Sequence, residues 1–385
     1  MKSATAALAV LLFSAAPSAA EAPRQAPPAV AATQITIAAG LAHPWDMAFL
    51  SASEALVTEK DGGLQRVSLT TGAVSPIAGF PDDLDNIRRG DPRDNSGMFG
   101  VVLDPAYAEN GWIYVAYSAG DAAGTATRVI RARLDADDAL NDIEEVFLAT
   151  PLSTDRFHYG GGLVFGADGK LYVTIGERFF NERDQPALPV SQDPTDARGK
   201  IYRLNPDGSI PEDNPAFGAG ATPGLYAMGI RASQGLTLNP ATGVIWFSEH
   251  GSRQGDEINI LRPGANYGWP VRTTGAYRNA DYVPPSLDDR SYADPAYAWE
   301  ETTAPTGLAF YTGSDFPQWR GDLFVAGLSR GSLWRLDIEG ETVRSAERLF
   351  EDAPVRLRNV KQSPDGKLYL LTDEADGRII RIDAQ

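Results

Sequence analysis

Cysteine is absent from this 385-residue chain, so neither a disulfide nor a thiolate-bound metal contributes, and stability must come from packing, helped at most by hard cations. Positive charge is also scarce. Lys and Arg number 34 against 51 Asp and Glu, a net charge of −17, which argues against nucleic acid or an anionic membrane as partner. Helical patterning is nearly absent, and no apolar run past the N-terminus approaches a membrane span. There is no Walker loop and no G-x-S-x-G elbow beside a plausible triad. The triplet Gly160-Gly161-Gly162 leads into a strand rather than a helix, which excludes a Rossmann-type dinucleotide loop.

What is present is ordinary for a folded soluble protein: 43% hydrophobic and 22% charged residues, ample for a sizeable core. Residues 1–20 read as a signal peptide, with one lysine, a short apolar run and a small-residue end at Ser18-Ala19-Ala20. Removing it takes Lys2 away and the net charge from −17 to −18. Residues 21–33, rich in Ala and Pro, read as an extended linker, leaving 34–385 as one domain.

That domain repeats. Six times a short apolar strand is followed by a turn signal such as ADG, ATG or PDG, then by a second strand rich in Tyr, Trp, Val and Leu, then by a third. Second strands are expected near Ala55, Trp112, Lys170, Val244, Asp322 and Lys367. The economical fold is an all-β, six-bladed β-propeller with four-stranded antiparallel blades, closed by the early strand QITIAA. A β-sandwich or two separate β-domains is the alternative, against which the regular return argues.

In such a blade the start of the innermost strand and the end of the second share one rim, so chemistry is sought there. The starts carry His43, Asn95, His158, Arg231, Thr306 and the pair Arg356 and Arg358. The second-strand ends carry Glu59-Lys60, Asp121, Glu177-Arg178, Glu249-His250-Gly251, Ser329-Arg330 and Asp373-Glu374. All three histidines fall in this set. Arginines gathered in so acidic a body suggest an anionic ligand needing bidentate contacts. Residues 248–270, SEHGSRQGDEINILRPGANYGWP, offer oxygen ligands of the kind calcium takes, though an acidic turn of this sort is more often merely solvated.

From GLAHPWDMAFL at residue 40 to the C-terminus, the chain resembles the soluble quinoprotein glucose dehydrogenases and aldose sugar dehydrogenases, most specifically in EHGSRQGDEINILRPGANYGWP, GLYAMGIRASQGLTLNPATG, FYTGSDFPQWRGDLFVAGL and RLRNVKQSPDGKLYLLTDE. The resemblance implies pyrroloquinoline quinone and Ca2+ as cofactors. It implies oxidation of an aldose C1 hydroxyl to a lactone in the periplasm, and an external electron acceptor. His158 matches the catalytic base, while Arg231, Arg356, Arg358, Asn95, Glu177 and Tyr277 fall at or beside cofactor-binding positions. Gly251 and Ser252 match carbonyl ligands of the calcium at the quinone, and Glu257 and Tyr267, with Asp256 beside them, match a further calcium site. The chain departs from the family at Asn95 for glutamine, Gly162 for arginine, Ala232 for asparagine, Glu177 for aspartate and Ser329 for lysine. Two other readings therefore stay open: a propeller that has lost redox activity and binds carbohydrate or protein at its rim, and a metal-dependent lactonase. A monomer and a homodimer are both compatible with the sequence.

Overall fold

The computed structural model describes residues 31–85, 94–287, 290–352 and 354–385. The expected signal peptide and residues 21–30 of the linker lie outside them. The remainder folds as six four-stranded antiparallel sheets, the expected propeller. Second strands begin at Glu54, Trp112, Leu171, Ile245, Leu323 and Leu368, each within one residue of its expected start. Among the described residues the α-helical content is one four-residue turn, Tyr107–Asn110.

The first strand, Ala32–Leu41, starts two residues before the expected domain boundary and pairs with the last, Gly377–Ala384, running from Ala32↔Ala384 to Leu41↔Gly377. It completes the sixth blade and leaves the ring without an open seam. Aromatic side chains fill the wedges between blades: Tyr114 meets Phe165, Trp246 meets Phe310 and Phe49 meets Tyr369, with ring centroids 5.1, 5.6 and 5.4 Å apart.

At the axis the six inner strands approach one another at one level. Aligned on their apolar pattern, they place Asp46, Gly100, Gly162, Gly235, Gly307 and Asn359 there. Four of these are glycines because a neighbouring blade occupies the space. A Cβ would stand 2.6 Å from Gly161 O at Gly100, 2.8 Å from Gln234 O at Gly162, and 2.0 Å from Thr306 O at Gly235. Asn359 and Asp46 close the circle by hydrogen bonds. Asn359 Nδ2 donates to Trp45 O and to Asp46 Oδ1, at 3.2 and 2.8 Å, while Asp46 Oδ2 accepts Val101 N at 3.1 Å. Lys361 Nζ adds an ion pair to Asp46 at 2.9 Å. Hydroxyls staple the same contacts: Thr58 donates to Phe99 O at 2.6 Å, Thr174 to Ser233 O at 3.0 Å and Ser248 to Thr306 O at 2.6 Å.

At Gly162, where the sequence departs from the family's arginine, the Gln234 carbonyl of the next blade stands 2.8 Å from where a Cβ would be, so a side chain there would require the neck to shift. Gly235→Ala tests the constraint: forcing a methyl group against a backbone carbonyl is expected to destabilise by roughly 1–3 kcal/mol, read as a lower denaturant midpoint with unchanged m-value.

Candidate active site

Above the neck, all six blades contribute to one cavity of about 240 Å³. Its polar lining includes Lys60, Asn95, His158, Gln234, His250, Arg356 and Arg358, with Trp45, Phe99 and Tyr159 as aromatic walls. The expected convergence of strand starts and second-strand ends holds for these positions. It does not hold for Asp121, which sits at an exposed hairpin tip and caps Ala123 N. The blade-two strands Trp112–Asp121 and Gly124–Leu134 run long and carry it past the rim.

His158 is held by backbone shape. It has φ +52°, followed by Gly160 and Gly161 at +78° and +87°, and its carbonyl lies where a Cβ on Gly176 would be, 1.9 Å away. The side chain points Nδ1 at Glu177 Oε1, 2.8 Å distant, and Glu177 is 1% exposed. A neutral imidazole donating Nδ1–H to a carboxylate leaves its Nε2 lone pair available as a base. Burial, then the positive charge of Arg231, holds the His158 pKa well below its ordinary value. Burial also pushes Glu177 up to about 8, against the pull of Arg231 and Gln185.

Across the cavity, Arg356 and Arg358 share one counter-charge. Asp373 accepts Arg356 Nε at 2.5 Å on Oδ2 and faces Arg358 Nη2 at 3.0 Å on Oδ1. Burial alone would raise the Asp373 carboxyl, but Arg358 and Arg356 outweigh it and hold it below the usual carboxylate range. Gln234 Oε1 accepts from Arg358 Nη1 at 2.6 Å, and Lys60 Nζ donates to Asn95 Oδ1 at 3.2 Å. Lys60, Gln234, Trp45 and Phe99 were not picked out as site residues by the sequence. Lys60 was in the rim set, and Gln234 stands three residues after Arg231 in the same turn.

Arg231 is 3% exposed and packs over Trp269 at 5.2 Å from the ring centre; its backbone N–H donates to Glu249 Oε1 at 2.6 Å. Its Nε and the Nε2 of His250 are buried with no hydrogen-bond partner among the described residues. Buried polar atoms of this kind are places where a ligand completes the bonding. Tyr277 sits outside the cavity lining, its hydroxyl donating to Pro270 O at 2.7 Å. Ser329 uses its backbone N–H on Thr303 O at 3.0 Å, and Ala232 is buried.

The expected metal residues divide. Ser252 donates its hydroxyl to Glu182 Oε2 at 3.0 Å and accepts Arg278 N at 2.8 Å. Asp256 accepts three backbone N–H groups, from Gly251 at 2.9 Å, Thr303 at 2.7 Å and Ala304 at 2.6 Å. It fastens the turn to blade five. Glu257 pairs across the sheet with Glu249. Both carboxyls are raised by burial, Glu249 further by the charge of Glu257, and Glu249 Oε2 has no partner among the described residues. Tyr267 engages Ile260 O and Arg262 N through its hydroxyl, at 2.6 and 3.0 Å, so only its carbonyl is available for ligation.

Comparison with known proteins extends over the same length. Residues 41–381 match the family model described as glucose/sorbosone dehydrogenase. An aldose sugar dehydrogenase of Escherichia coli is 35% identical over 348 residues, covering 89% of this chain and 90% of that protein. A crystal structure of a glucose dehydrogenase superposes with a TM-score of 0.83 at 37% identity, over 92% of this chain and all of that one. The PQQ-bound form of an aldose sugar dehydrogenase from Streptomyces coelicolor superposes at 0.73, with 27% identity over 93% of this chain and all of that one.

The arginine clamp yields a direct test. Asp373→Ala leaves Arg358, 4% exposed, as a buried charge without its carboxylate. The expected cost is about 3–5 kcal/mol, read as a large fall in the thermal midpoint. Unchanged stability would show that Asp373 does not hold the clamp together.

Proposed function

The chain belongs to the glucose/sorbosone dehydrogenase family, and on that premise we propose that it is a quinoprotein sugar dehydrogenase, oxidising the C1 hydroxyl of an aldose or related sugar to the lactone. The observation that carries this reading is one cavity holding a carboxylate-paired imidazole on one side and two arginines on the other. The E. coli relative is named for aldose sugars and the Streptomyces neighbour contains PQQ.

The residues present fit pyrroloquinoline quinone. A flat polycarboxylate suits a cavity with aromatic walls and the cations Lys60, Arg356 and Arg358, and the unpartnered Arg231 Nε and His250 Nε2 lie ready to bond a polar ligand. Asn95 and Gln234 add polar contacts beside these cations. Lys60 places an ammonium in the lining although Ser329 stands where the family has lysine. When bound, the quinone supplies an electrophilic carbonyl that takes two electrons from the sugar as hydride.

The chain's own part is proton handling and charge placement. His158 Nε2 accepts the C1 hydroxyl proton as the C–O bond gains double-bond character, and Glu177 stabilises the imidazolium that results. Arg231, packed beside the pair, favours the ionised form of Glu177. We place a calcium at the Gly251 and Ser252 carbonyls. We place a second between Glu257 and the Tyr267 carbonyl, where the buried Glu249 and Glu257 carboxyls call for a cation. Asp256 we assign to loop fastening. Tyr277 supports Trp269, its ring centre 5.9 Å away, and shapes the wall rather than touching cofactor. The N-terminal signal-like sequence supports a periplasmic location, with electrons passing on to an external acceptor.

Titration of the protein with quinone and calcium is expected to give saturable binding, followed by aldose-dependent dye reduction. Failure of the quinone to bind would overturn the reading. His158→Ala is expected to bind quinone as before while turnover falls roughly 100- to 10,000-fold, the usual share of a general base. The base-competent state has Glu177 ionised and His158 neutral, so kcat/KM should rise with pH through a limb near 8. A flat profile from pH 6 to 9 would contradict that pairing.

A further inference from the structure

Residues 176–199 connect the second and third strands of blade three, Leu171–Ile175 and Lys200–Leu204, and they are pinned down by buried polar anchors. Glu182, 2% exposed, accepts Ser252 Oγ at 3.0 Å and Asn279 N at 2.8 Å. Lys200, fully buried, donates to Val190 O and Arg198 O, both at 2.7 Å. Gln192 donates to Trp269 O at 2.8 Å. A segment with ionic and amide groups bonded inside the fold at these points is a fixed wall, because opening it would strand each group without its partner.

Immediately after the 3₁₀ turn Glu182–Asp184 stands Gln185. Its backbone N–H caps the turn at Glu182 O, 3.3 Å away, and its side-chain Nε2 donates to Glu177 Oε2. The other carboxylate oxygen, Oε1, is the one that faces His158 Nδ1. Gln185 Oε1 is buried with no partner among the described residues, so the amide serves through its nitrogen. The Trp269 indole N–H leans toward the same carboxylate without completing a hydrogen bond.

We propose that Gln185 is a positioning residue for the His158–Glu177 pair: by donating to Glu177 Oε2 it favours the ionised carboxylate, the state in which His158 is held as the Nδ1–H tautomer with Nε2 open to the cavity. A buried carboxylate lacking a donor on its second oxygen takes up a proton. A protonated Glu177 then donates to Nδ1, the ring hydrogen moves to Nε2, and the lone pair facing the cavity is gone. The amide from the loop thus sets which ring nitrogen can act. The charged groups facing the pair are Arg231, which favours the carboxylate, Glu182, which opposes it, and Arg278 and His250, which disfavour imidazolium. None of them is altered by changing Gln185. The catalytic consequence rests on the dehydrogenase reading; the tautomer does not.

The test uses Gln185→Leu, which keeps volume and removes the donor, and Gln185→Glu, which adds a second carboxyl to share the proton. With only three histidines, ¹⁵N-histidine-labelled protein gives separable imidazole signals, and His158 is assigned by its loss in His158→Asn. In the wild type the Nδ1–H form is expected to dominate above the midpoint of the pair. In both variants that midpoint should move upward by about one pH unit, equivalent to a tenfold change in proton affinity, with the Nε2–H form growing at fixed pH. In turnover, kcat at neutral pH should fall about tenfold and recover at alkaline pH, with KM unchanged. An unmoved midpoint and tautomer in Gln185→Leu overturns the proposal. So does a loss confined to thermal stability or KM, which marks Gln185 as wall structure only. If no sugar is turned over even by the wild type, the dehydrogenase reading fails while the NMR arm still decides the role of Gln185.

Discussion

At the axis the inner strands meet backbone to backbone at three positions, and much else follows from that closeness. Where Gly100, Gly162, Gly235 and Gly307 face the next blade, a carbonyl or amide occupies the place of a side chain; Asp46 and Asn359 fill the remaining two positions with hydrogen bonds instead. Six inner strands locked at one level fix the angle of each blade, and hence where each strand begins above that level. The cavity floor is therefore set by the inner strands and the few side chains that complete their ring. His158 and Arg358 come from different blades yet hold their relation because their strands are bound to the same ring.

That shared ring lets buried charge be used with few partners. Asp373 balances both Arg356 and Arg358, and Glu177 holds Nδ1 of His158. Each carboxylate sits at the end of a second strand, one strand away from the group it controls, so the antiparallel pairing that builds a blade also delivers the counter-charge. In a looser scaffold, desolvation at such a site would be relieved by movement; here it is met by hydrogen bonds and ion pairs of fixed geometry.

Much of this was legible in the sequence. Blade number, strand starts and the ring-closing first strand follow from period-two patterning and turn residues, which are local and repeat. The rim argument placed His158, Glu177, Asp373, Arg356 and Arg358 at one end of the molecule. Pairing was not legible, because it depends on which side chains bridge blades: that Asp373 serves both arginines, or that Asp256 is occupied by Thr303 and Ala304 amides, is tertiary information. The packing around Gly162 was not legible for the same reason. Compared with relatives position by position this glycine looks like a lost arginine; compared with Gly100, Gly235 and Gly307 in its own chain it is one of a set. Gln185 left no signal at all, since a lone glutamine in a loop has no period and no motif.

The sixth blade has a further consequence through its composition. Its three inner strands come from the last thirty or so residues and its outer strand from Ala32–Leu41, and its inner part carries Arg356, Arg358 and Asp373. A chain made from its N-terminus must keep that first strand waiting until residues 377–384 arrive. The blade that seals the ring is thus also the one that supplies the Arg356–Arg358 pair and its Asp373 counter-charge. A prematurely terminated chain lacks both together, so ring closure and the cavity's arginine pair are acquired in the same step of synthesis.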